Sequence, residues 1–71
     1  MNETPANFPM YVDADGQYGP AEDLIQFKYG DLTQEQWDNV AELDGYDRLR
    51  YVQAVLDNDP LEQAYILGED L

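Results

Sequence analysis

The chain has 71 residues, with sixteen Asp and Glu against three Lys and Arg, for a formal net charge of -13. This length suits one small domain. The charge excludes nucleic acid and anionic membranes as direct partners, because both repel it. There is no Cys, His or Ser, and the side-chain hydroxyls are Thr4, Thr33 and six Tyr. Zinc sites of cysteine and histidine, thiolate nucleophiles, Ser–His–Asp triads and imidazole acid–base chemistry are therefore absent, and the expectation is a protein that is not an enzyme. Carboxylates, phenols, Lys28, Arg48 and Arg50 are what remain. High net charge opposes compaction, but apolar residues make up 44% and aromatics 13% of the chain, spaced between turn signals, which argues for a folded body.

Residues 1–7 read as a flexible leader, since Thr4-Pro5 disfavours helix, and residues 8–71 read as a single acidic domain. Met1 to Asn7 lacks the basic residues and apolar run of a signal peptide, and no stretch approaches ~18 apolar residues. A small chain without disulfides fits the cytoplasm best. Phe8 to Asp13 suits a strand, with Pro9 near its start where a missing N–H does no harm. Asp13 to Pro20 is dense in turn formers. From Glu22 to Tyr29, Ile25, Phe27 and Tyr29 alternate with Gln26 and Lys28, the period of a half-buried strand. The simplest assembly is a β-hairpin with a long acidic loop. A lone hairpin is marginal in water, so helices must cover one face.

Thr33 and Gln36 form a predicted capping box for a helix over Gln34–Leu43, with Trp37, Val40 and Ala41 on one face. Gly45 suits the left-handed position just beyond its end. A second helix, roughly Tyr46–Asp57, places Leu49, Val52 and Leu56 on one stripe, with Tyr51 and Val55 beside it. Asp59 as N-cap and Pro60 at the first position open a short third helix that runs to Gly68. The order β-β-α-α-α is an α+β fold, with helices packed on one face of a small sheet. Its expected core is Tyr11, Val12, Ile25, Phe27, Trp37, Val40, Leu49, Val52, Val55, Leu56 and Leu61.

The acids carry the functional signal. Glu35, Asp38 and Glu42 recur at i, i+3, i+7 on the first helix, and Asp44 and Asp47 extend this row. Asp13, Asp15, Glu22 and Asp23 line the hairpin loop. Ordinary surfaces intersperse both signs of charge, so a surplus of this size points to a strongly basic partner: a nucleic-acid-binding protein whose groove is built for phosphates. Tyr18, Tyr46 and Tyr65, near turns or helix ends, are candidate anchors. Arg48 and Arg50 interrupt the negative band unless they pair with Asp44 or Asp47. No cofactor or metal is expected. An EF-hand counted from Asp13 needs Gly and Glu where Tyr18 and Leu24 stand, which leaves only a weak divalent site at Asp13, Asp15 and Glu22 as an alternative.

The stretch from Leu32-Thr33-Gln34-Glu35-Gln36-Trp37 through Ala41-Glu42-Leu43, the helix Arg48 to Leu56, and the Pro-led turn into Leu61-Glu62-Gln63-Ala64 resemble helical segments of antirestriction proteins that mimic DNA. Length and charge also look like small phage inhibitors of host nucleic-acid enzymes, anti-CRISPR proteins among them. The resemblance implies a non-enzymatic protein of phage or plasmid origin that acts in the host cytoplasm on the nucleic-acid-binding face of a host protein; monomer and homodimer both stay open. Two other readings stay open: an adaptor whose aromatic surface binds a partner while acidity serves solubility, and halophilic adaptation.

Overall fold

The computed structural model describes residues 5–21 and 26–68. Among them the chain forms strands β1 (Pro9–Val12), β2 (Tyr18–Pro20) and β3 (Phe27–Lys28), a 3-10 turn at Tyr29–Asp31, and helices α1 (Gln34–Glu42), α2 (Gly45–Leu56) and α3 (Pro60–Leu67). The fold is α+β, an antiparallel sheet followed by three helices.

The sheet has three strands in the order β2-β1-β3, where a two-stranded hairpin was expected. Phe27 and Lys28 do pair with Met10 and Pro9, but the extra strand comes from inside the expected loop, with Val12 opposite Tyr18 and Met10 opposite Pro20. Asp13 makes this possible. Its Oδ1 accepts hydrogen bonds from the Asp15 and Gln17 amides at 3.0 and 2.9 Å, and its own amide donates to the Gln17 carbonyl. The chain therefore turns within residues 13–17 and returns at once along β1. Pro20 is harmless there because β2 is an edge strand. Glu22, Asp23 and Ile25 lie outside the described residues. Of the expected leader, Pro5–Asn7 form a turn in which the Phe8 amide donates to the Pro5 carbonyl and the Gly30 amide to that of Ala6 at 2.7 Å.

The helix boundaries follow their local signals. The Gln36 amide donates to Thr33 Oγ1 and Gln36 Oε1 accepts from the Thr33 amide, the reciprocal pair of a capping box. Asp59 Oδ1 accepts from the Glu62 amide, and Gly68 closes α3 in the left-handed conformation. Gly45 is left-handed too, but it is the first residue of α2 rather than the cap of α1, whose end at Leu43 is extended. α2 ends in a Schellman motif: the Asn58 amide bonds the Val55 carbonyl and the Asp59 amide that of Ala54, with Asn58 left-handed.

The core cluster is Val12, Phe27, Leu32, Val40, Tyr51, Val52 and Val55, with Met10, Trp37, Leu43, Leu49, Ile66 and Leu67 partly buried against it. Three expected core residues lie outside it, Tyr11 among them, half-buried on β1. Leu61 is 67% exposed and Leu56 sits at the surface edge. α2 is rotated so that Tyr51, Val52, Ala54 and Val55 face inward, because it packs on the sheet, α1 and α3 at once. Asn39 donates to the Tyr51 hydroxyl at 3.0 Å, which satisfies that buried phenol. No helix among the described residues is long and apolar enough to cross a membrane.

Candidate partner-binding surface

Val40, the fully buried residue of α1, fixes how that helix faces solvent. At about 100° per residue, Glu35, Asp38 and Glu42 fall within about 60° of arc directly opposite it, spread over about 10 Å of helix. All three are exposed. Asp38 Oδ1 accepts a 3.0 Å hydrogen bond from Gln34 Nε2 one turn earlier, which holds its carboxylate to the helix. The capping box fixes the first turn, so this acid row stands on a rigid element.

Asp44 and Asp47 are exposed on either side of Gly45. The β1–β2 loop reaches the same place. A Cβ placed on Gly16 would lie 2.5 Å from the Gly45 carbonyl oxygen, so the two backbones touch. Asp15, exposed on that loop, therefore shares one end of the molecule with Asp44 and Asp47. Asp13 is different: it is half-buried and its carboxylate is turned to its own loop. It builds the turn rather than presenting charge. No three metal-ligating side chains converge among the described residues.

Neither arginine pairs with a carboxylate of the acid row. Arg48 does not pair with Asp44 or Asp47. Its Nε donates to the Val40 carbonyl at 2.8 Å, and its two terminal nitrogens donate to the Gly16 and Leu43 carbonyls. It thereby supplies, from α2, the positive charge that the C-terminus of α1 favours and otherwise lacks. Arg50 pairs with Glu62 of α3, the one ion pair among the described residues. The hydrogen bond and charge of Glu62 hold this guanidinium above its ordinary value, against a smaller opposing effect of burial. Lys28 is exposed on β3.

Beside the acid row, between the sheet and the start of α1, lies a groove of about 370 Å³ walled by Met10, Tyr18, Pro20, Tyr29 and Trp37. Gln34 and Asp38 form its polar side. The Trp37 ring stacks on Tyr29 at 5.0 Å and 14°, and its Nε1–H donates to the Tyr29 carbonyl at 2.9 Å. Sequence reasoning placed Trp37 in the core and Tyr18 at a turn. Their meeting depends on β2, whose short run of turn-forming residues hides a strand. Tyr46 and Tyr65 are exposed elsewhere, on α2 and α3.

The chain matches no family model, no curated protein and no solved structure.

Proposed function

We propose that this protein is a non-enzymatic acidic binding protein that occupies the cationic nucleic-acid-binding surface of a protein partner, with the α1 row Glu35, Asp38 and Glu42 at its centre and Asp44, Asp47 and Asp15 at its end. The observation that carries this reading is the row itself: three carboxylates on one exposed helix face, on a capped helix, with both arginines engaged elsewhere. Carboxylates borne a helical turn apart on one capped helix present anionic charge at a spacing of a few ångströms, comparable to that of backbone phosphates, and the preformed helix lowers the entropy cost of docking. Long-range attraction between opposite charges speeds such an encounter by ~10–10³-fold. Origin in a phage and action in a bacterial cytoplasm belong to the same proposal. Capture from a bacterial lysate at low and high salt, read by mass spectrometry, tests it. Recovery of basic nucleic-acid-handling proteins at low salt alone is the expected result.

The adaptor reading gains from the exposure of Tyr46, Leu61 and Tyr65 on α2 and α3. Its mark is a single neutral partner retained at high salt and lost on truncating those side chains.

A further inference from the structure

The groove beside α1 combines three features that together specify a ligand. Its walls are aromatic, with Tyr18, Tyr29 and Trp37 contributing rings. Among the described residues its one charged lining residue is a carboxylate, Asp38. Among the described residues Asp38 receives a hydrogen bond only from Gln34, on Oδ1, so Oδ2 is left to accept from an incoming group. A planar cation suits such a site. The guanidinium of arginine stacks flat on aromatic rings, is more weakly hydrated than an ammonium, and offers paired N–H donors to a carboxylate. The molecule already uses this chemistry: the Arg48 guanidinium lies 4.9 Å from the Tyr18 ring centroid, and that of Arg50 lies 6.0 Å from Tyr65.

We infer that this groove receives an arginine side chain of the basic partner, stacked against the aromatic wall and bonded to Asp38, while Glu35 and Glu42 supply attraction without that geometry. The inference rests on the acidic-binding reading above and names what the surface recognises. Charge complementarity argues for this occupant over an apolar segment, because an uncharged peptide would cover the Asp38 carboxylate without supplying an opposite charge.

Trp37 is the single tryptophan of the chain and lines the groove, so its emission reports on occupancy. The probes are short peptides alternating arginine and glycine, and lysine counterparts of equal charge, titrated at low salt. The arginine peptide is expected to change Trp37 emission saturably and to bind about five-fold more tightly than the lysine peptide. Asp38→Asn should erase that preference, whereas Glu35→Gln should weaken both peptides alike. Equal binding of the two peptides with unmoved Trp37 emission overturns the groove assignment and leaves the acidic surface standing. Failure of both peptides to bind overturns the acidic reading as well.

Discussion

Arg48 reaches the carbonyls of Val40, Leu43 and Gly16 from a single guanidinium, and so ties α1, the connection to α2 and the β1–β2 loop together. A lysine has the charge but not the rigid fork, and it cannot serve three acceptors in that geometry. Arg48→Lys is expected to cost roughly 1.5–3 kcal/mol in urea denaturation, the range for lost hydrogen bonds to a charged donor. A variant as stable as the parent would show that the three contacts contribute nothing. Gly16 is constrained from the other side. It is left-handed, and any Cβ would strike the Gly45 backbone. Gly16→Ala should destabilise by at least about 2 kcal/mol. The Arg50–Glu62 pair has a pH signature. A guanidinium raised above its unfolded value stabilises the fold at all pH values below that unfolded value, and the gain is lost only as pH climbs through the folded one. Glu62→Gln should therefore lower the melting temperature equally at about pH 6 and pH 9.

At the scale of elements, what the sequence disclosed was what is decided locally. Thr33 with Gln36 and Asp59 with Pro60 each fix a helix start within four residues, so the helices fall near their expected positions. The sheet was less legible because strand pairing is set by contacts distant in sequence. Tyr18–Pro20 looks like a turn, and only the tight loop closed by Asp13 makes it a strand. Burial was misread at Leu56 and Leu61 for a related reason, while Leu49, Val52 and Val55 of α2 do face the core. Apolar residues surround much of both helices, and the tertiary partners choose the buried side. α3 turns Ala64 inward and leaves Leu61 and Tyr65 outside. Two leucines check this directly. Leu32→Ala, at a site 5% exposed, should cost about 2–5 kcal/mol. Leu61→Ala should stay within about 0.5 kcal/mol. Similar costs at both sites would contradict the packing described.

For the molecule as a whole, the acid row on α1 was legible because helical spacing alone places Glu35, Asp38 and Glu42 together. The aromatic groove was not, since it needs β2 and α1 side by side. A net charge of -13 on so small a body sets repulsion against compaction. Screening relieves it, so the melting temperature should rise between low salt and ~0.5 M, where the Debye length falls to a few ångströms. An unchanged melting temperature would mean that the charges are already compensated. Collapse of the fold below molar salt would favour halophilic adaptation instead. The most direct test is displacement: a basic protein captured from lysate is loaded with labelled nucleic acid, and release of the label is followed as this protein is added. The wild type is expected to expel the label, less effectively as salt rises, and the Glu35→Lys, Asp38→Lys double variant to need several-fold more protein. Simultaneous binding of nucleic acid and wild type, or equal potency of the double variant, would contradict the central claim.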